Sequence, residues 1–152
     1  MEGLGFASVR TLLNSGNVVF DAGDAAAPAL ETRIERAAAQ ELGLKTDFLV
    51  RSTKDWRALV KANPFPAEAA DDPAHVLVLA CKEAPKPAAV KALAAAIKGR
   101  ERIAGNGAQV YAVYPDGIGR SKLTAARIEK YLGTRVSGRN WNTVQKISDL
   151  LD

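Results

Sequence analysis

The residues best suited to chemistry lie in two short runs in the last quarter of the chain. One reads Gly117-Ile118-Gly119-Arg120-Ser121-Lys122-Leu123-Thr124, the other Arg139-Asn140-Trp141-Asn142-Thr143. Glycine lets backbone approach a ligand closely, and a helix start leaves N–H groups unpaired beside a partial positive charge. That combination holds anions, phosphate above all. Ser121 is placed to cap a helix over 121–132, with Lys122 and Thr124 as donors in its first turn. Arg139 offers a forked guanidinium, Trp141 a stacking surface, and Asn142 or Thr143 a cap for a last helix. Between Gly117 and Lys146 stand seven Lys or Arg against one acid, Glu129.

The types and spacings stop short of naming a reaction. The first run is neither a Walker A loop nor a dinucleotide fingerprint. No carboxylate pair lies among the motifs for acid–base work. A single His75 argues against a histidine metal cluster, and a single Cys81 excludes an internal disulfide or a multi-cysteine site. No metal and no cofactor is therefore expected; His75 reads as a structural residue at a strand entrance and Cys81 as a core thiol. The same two runs also admit a purely structural reading. There the first is a capped helix with a solvated basic face, and Trp141 plugs the join between two halves while asparagines satisfy buried backbone.

The elements that must position these residues can be read in order. Val9 to Leu13 and Val18 to Phe20 are β-prone runs around Asn14-Ser15-Gly16-Asn17, a polar turn that is also a candidate wall of the same cleft. Pro28 opens a helix with Leu30, Ile34, Ala38 and Leu42 on one face and Gly43 at its end. Asp47 to Arg51 reads as a strand. Ser52 with Asp55 resembles a capping box for a helix carrying Trp56, Leu59 and Val60 that Pro64 must stop, with Phe65 buried behind it. His75 to Cys81 is an apolar strand, and a helix with Val90, Leu93 and Ile97 follows Pro85 and Pro87. Arg102 to Ala104 and Gln109 to Tyr114 flank a second hairpin turn, and Thr134 to Ser137 is a short extended piece before the final helix.

Element order thus predicts an α+β fold of two ferredoxin-like (βαββαβ) halves, the first lacking its opening strand and helix. The expected division is 1–66 for the incomplete half with a connecting helix, 67–74 as linker, and 75–152 for the complete half with a terminal helix. The chain has 152 residues, with 47% hydrophobic and 25% charged residues, as a soluble globular protein should. No apolar run approaches the roughly 20 residues needed to span a bilayer, and no basic-then-apolar leader is seen, so a cytoplasmic protein with no membrane partner is expected. Net charge is +4. The excess falls in the second half, with the glycine-rich turn.

Asn14-Ser15-Gly16-Asn17-Val18-Val19-Phe20, Asn63-Pro64-Phe65, Tyr114-Pro115-Asp116-Gly117-Ile118-Gly119-Arg120-Ser121-Lys122-Leu123-Thr124 and Arg139-Asn140-Trp141-Asn142-Thr143-Val144 occur in one order. Together they resemble the bacterial domain of unknown function 1697 family, over essentially the entire chain. The resemblance implies two ferredoxin-like halves and no established activity. Family members usually carry an aromatic residue and Gln where this chain has Leu12 and Asn14. They also usually begin with a strand containing an Arg-Gly-Ile-Asn-Val-Gly-Gly-like stretch and a helix, neither of which stands in this sequence. The expectation is a chain shorter than the unit that folds best, with the hairpin of residues 9–20 left exposed.

The functional expectation is a binding protein with a basic, glycine-lined cleft formed by 117–124 and 139–143, taking a phosphate-bearing or other anionic ligand. An enzyme acting on a phosphorylated or carboxylate substrate is the alternative, and an interaction module whose motifs only join the halves is another. Nucleic acid is a possible partner, but aromatic content is only 6%, and Trp141 and Tyr131 alone fall within the basic stretch. An anionic small molecule is favoured over it. Nothing in the sequence sets an oligomeric state.

Overall fold

A computed structural model of the chain describes residues 1–12 and 16–152, which form an α+β structure with two small antiparallel sheets and six α-helices among them. Contacts divide it into two compact units, residues 1–57 with 145–152, and residues 58–144.

In the first unit, β1 (Ala7–Leu12) and β2 (Asn17–Asp21) pair only with each other. Leu12 faces Asn17, and a bulge between Ala7 and Arg10 carries Ser8 at a φ of 52°. Helix α1 (Ala27–Leu42) starts with Pro28 in its first turn, where the missing N–H costs nothing. Gly43, at a φ of 63°, ends it in the left-handed conformation. Leu30 and Ile34 bury against Phe6, with Phe20, Phe48 and Val50 packed around them. Leu42 was expected on that inner face but is 77% exposed, because α1 turns it past the end of the core.

The stretch 47–51 joins no ladder, contrary to the strand expected there. Its backbone is satisfied differently: the amides of Phe48 and Val50 donate to Glu35 Oε1 and Glu31 Oε1, each at 2.8 Å. Ser52 then caps α2 (Thr53–Lys61), accepting from the Asp55 amide at 3.1 Å while its hydroxyl donates to the Asp55 carboxylate at 2.7 Å. Trp56 Nε1 donates to Ser148 Oγ at 3.0 Å.

The second unit contains the end of α2, then a tight Asn63-Pro64-Phe65 stop in which Asn63 Oδ1 accepts the Phe65 amide at 2.9 Å. Residues 67–74, expected as a linker, lie in α3 (Pro66–Asp71) and a 3-10 turn (Pro73–His75), with Asp72 alone between them. Next come β3 (Val76–Cys81), α4 (Pro87–Ala96), β4 (Arg102–Asn106), β5 (Gln109–Val113), α5 (Ala125–Leu132), β6 (Val136–Asn140) and the first residues of α6 (Trp141–Leu151). The strands lie in the order β4-β5-β3-β6, every neighbour antiparallel.

Alternation along the strands sorts the side chains into two layers. Leu79, Cys81, Val110, Ala112 and Tyr114 bury against Val90 and Leu93 of α4 and Ile128 and Leu132 of α5. Val76, Val78, Tyr111 and Val113 face the other way and are also buried. On that side the Tyr111 hydroxyl donates to the Leu59 carbonyl at 2.6 Å.

Candidate anion-binding site at the start of β3

Antiparallel pairing gathers three chain segments at one end of the second sheet. β5 and β6 both run opposite to β3, so both finish where β3 begins. Val113 pairs with Val76 and Asn140 with Leu77. The Tyr114 amide extends the ladder to the His75 carbonyl at 2.9 Å. Two strand spacings, roughly 10 Å, therefore separate the backbone leaving β5 from the backbone leaving β6. The glycine-rich turn and the start of α6 flank the start of β3.

The turn is built from short local bonds. The Gly117 amide donates to the Tyr114 carbonyl at 3.0 Å, and the Ser121 amide to the Ile118 carbonyl at 3.1 Å. Gly117 sits at a φ of 86°, a conformation that side-chain-bearing residues resist. A side chain at Gly119 would meet nothing within 4 Å, so the backbone there faces open space. The Tyr114 hydroxyl closes the loop by donating to the Leu123 carbonyl at 2.9 Å.

Ser121 was expected to cap the helix and does not. Its oxygen accepts the Leu123 amide at 3.0 Å, and its hydroxyl donates to Glu101 Oε1 at 2.7 Å. A serine satisfied two residues on makes a turn instead of a helix start. The helix therefore begins at Ala125 with Thr124 as its cap, whose oxygen accepts the Arg127 amide at 3.3 Å.

Charge at the turn is mixed, with cations in excess: one acid is ion-paired and another keeps its charge on a hydroxyl. Asp116 pairs with Arg100 at 2.9 Å. The Ser121 hydroxyl holds the Glu101 carboxyl below its usual range. Arg120 and Lys122 are exposed, and neither makes an ion pair or hydrogen bond among the described residues. Positive charge and an open glycine backbone thus meet on one surface.

The second run is arranged differently from the expectation. The cap of α6 is Asn140, not Asn142 or Thr143: its Oδ1 accepts the Thr143 amide at 3.0 Å. As the extended residue just before Trp141 it holds the N-cap position, which places Thr143 inside the first turn. Trp141 is 8% exposed and packs inward. Asn142 is exposed and Thr143 half-buried.

Arg139 departs furthest. It pairs with Val78, whereas Asn140 pairs with Leu77, whose side chain packs with the α4–α5 layer. Alternation therefore sends Arg139 to the opposite face from Tyr114 and Leu123. Its guanidinium turns back along β6 to Ser137 Oγ at 2.9 Å and the Gly138 carbonyl at 2.8 Å. Burial pushes its pKa below the ordinary arginine value, though a guanidinium stays charged. The structure therefore brings Gly117, Gly119, Arg120, Ser121 and Lys122 together and leaves the Arg139 side chain apart from them. Of the hairpin turn, Asn14 and Ser15 lie outside the described residues. Gly16, at a φ of 72°, and Asn17 belong to the first unit.

Sequence reasoning missed one group here. His75 Nδ1 lies 2.5 Å from Asp72 Oδ2, and the pair stands at the entrance of β3. Antiparallel order in β3 and β5 was the available signal, because it brings residue 75 beside residue 114.

The comparisons bear on this arrangement. The profile of the family described as "Protein of unknown function (DUF1697)" matches residues 1–111. The chain belongs to the DUF1697 family. In this DUF1697 protein the matched stretch ends at Tyr111, ahead of both motif runs. No curated protein matches the chain. Among solved structures it is similar to the conserved bacterial protein SP0830 from Streptococcus pneumoniae, at 22% identity and a TM-score of 0.70, over 99% of this chain and 83% of that one. A likeness at that identity speaks for the fold alone. No helix among the described residues is long and apolar enough to cross a membrane.

Proposed function

We propose that this protein binds a phosphate-bearing or otherwise anionic small ligand on the Gly117–Lys122 turn, at the end of the second sheet where β3 begins. The observation that carries the reading is the state of the turn's charges. Asp116 is ion-paired with Arg100 and Glu101 keeps its charge on the Ser121 hydroxyl, while the two cations Arg120 and Lys122 stand unengaged beside open glycine backbone. Two unengaged cations beside a glycine open to close approach suit a compact anion.

Small ligands rank above nucleic acid because Trp141, the larger aromatic of the basic stretch, is packed away and its neighbour Asn140 is occupied as a cap. We take the second unit as a ferredoxin-like half, supported by its order β3-α4-β4-β5-α5-β6 and spatial order β4-β5-β3-β6. The hairpin, helix and extended stretch of the first unit are consistent with an incomplete copy. A cytoplasmic setting goes with this reading.

A thermal-shift screen of nucleotides, phosphosugars and short oligonucleotides tests it. Stabilisation by a phosphate-bearing compound, reduced in Arg120→Ala and Lys122→Ala and fading with salt, is the expected result. Binding unaffected by either substitution would overturn this location. A tight and steeply salt-dependent shift with oligonucleotides alone would put nucleic acid first.

A further inference from the structure

His75 occupies the middle of the site edge, between the backbone leaving β5 and that leaving β6. It is the chain's single histidine. Its Nδ1 is bonded to Asp72, which fixes the ring and leaves Nε2 as the outward nitrogen. That nitrogen faces the glycine turn: a Cβ built on Gly117 would stand 3.8 Å from it. No hydrogen bond to Nε2 occurs among the described residues. A ring oriented by a carboxylate, with its other nitrogen free beside an exposed backbone turn, is arranged to exchange a proton with what binds there.

We propose that His75, oriented by Asp72, is the proton-binding group of this site: an anion bound at the Gly117–Lys122 turn draws a proton from solvent onto Nε2, which then donates to it. The inference rests on the reading above and adds its chemistry. With Nδ1–H donating to Asp72, the neutral ring carries a lone pair at Nε2, and only the imidazolium can donate to an anion from that atom. Binding and protonation are therefore linked, and by reciprocity each strengthens the other.

The charged groups on the surrounding elements are few. On α3, Glu68 is engaged by Arg102 and Asp71 is exposed; on β6, Arg139 is turned toward Ser137 and Gly138; in the turn, Asp116 is engaged by Arg100. Glu101, held by the Ser121 hydroxyl, keeps its charge beside the turn, where Arg120 and Lys122 are the unengaged cations. An anion seated on the turn adds negative charge beside Nε2, which is the physical source of the linkage.

Because the histidine is single, its ring resonances are unambiguous. The probe is sulfate, whose charge stays constant where imidazoles titrate, compared with chloride at equal ionic strength. Two things are followed by NMR: the amides of residues 117–122, and the pH midpoint of the His75 ring. The expected result is perturbed turn amides together with an upward move of the ring midpoint by about half a pH unit or more, roughly a threefold linkage. Sulfate should bind more tightly at acid than at alkaline pH, and His75→Gln, which keeps a neutral donor, should make binding independent of pH. Its melting curve reports whether it folds, and Asp72→Asn provides a second route by loosening the ring. Perturbed amides with an unmoved ring midpoint would overturn this inference and leave the binding site standing. Amides that ignore sulfate would overturn both.

Discussion

The Tyr114 hydroxyl and the Leu123 carbonyl, 2.9 Å apart, tie the glycine-rich turn back onto the strand that launches it. Both residues are buried. Tyr114→Phe keeps the ring and removes the donor, so a buried carbonyl loses its partner. The expected loss is about 1–3 kcal/mol of stability, read as a lower denaturant midpoint with an unchanged slope. The turn amides should also lose hydrogen-exchange protection, and a variant as stable and as protected as the parent would show the bond to be idle.

High pH should strike the same side chain. Burial pushes the Tyr111 and Tyr114 hydroxyls up to about 12 from the usual tyrosine value of 10.0, with the Glu101 charge adding to the shift at Tyr114. The unfolded chain releases these protons first. Their contribution to stability is therefore complete below pH 10 and is lost as pH rises through about 12. Denaturant midpoints measured on either side of pH 10 should fall on the alkaline side, and Tyr111→Phe should flatten part of that fall.

Gly117 and Gly119 should part company under substitution. Gly117→Ala forces a side chain into a φ of 86° and should cost roughly 1–2 kcal/mol. Gly119→Ala meets open space without a positive φ and should change stability by no more than about 0.5 kcal/mol. If the turn holds an anion through its backbone, Gly119→Ala should still weaken binding. Equal melting points for the two variants would contradict the turn geometry.

The cap of α6 makes a third contrast. Asn140→Ala removes the acceptor of the Thr143 amide and should cost about 1 kcal/mol, while the exposed Asn142→Ala should be near neutral. Chemical denaturation of the two variants checks the order, and a larger effect at residue 142 would return the cap to the position expected from sequence.

Much of the fold was legible because its signals are local. Pro28 and Gly43 bracket α1, Ser52 and Asp55 start α2, and Gly133 ends α5 at a φ of 67°. The unbroken apolar run from Val76 to Cys81 marked the central strand. Some departures come from near neighbours, as at Asn140, and others from partners distant in sequence. Ser121 reads as a cap, but its oxygen takes the Leu123 amide two residues on while Glu101, twenty residues earlier, takes its hydroxyl hydrogen. Arg139 reads as a free cation until the register with Val78 decides which face it leaves from. The place of His75 beside Tyr114 is a fact of strand order that no short window contains.

The carboxylates that hold residues 47–51 carry a consequence of scale. Glu31 and Glu35 are one helical turn apart, a rise of about 6 Å, and Phe48 and Val50 are two extended residues apart, about 6.6 Å. Four steps of helix thus measure nearly the same length as two steps of extended chain, and α1 works as a ruler laid beside it. Such a ruler alone cannot tell one even offset from another, since sliding the chain by two residues restores the match. The side chains break that degeneracy. Sliding one way would bring Thr46 and Phe48 to the two marks, and the other way Val50 and Ser52, so each offset puts a hydroxyl where an apolar residue packs against Leu30 and Ile34. Spacing comes from the helix and position from the core, and the chain settles where both agree.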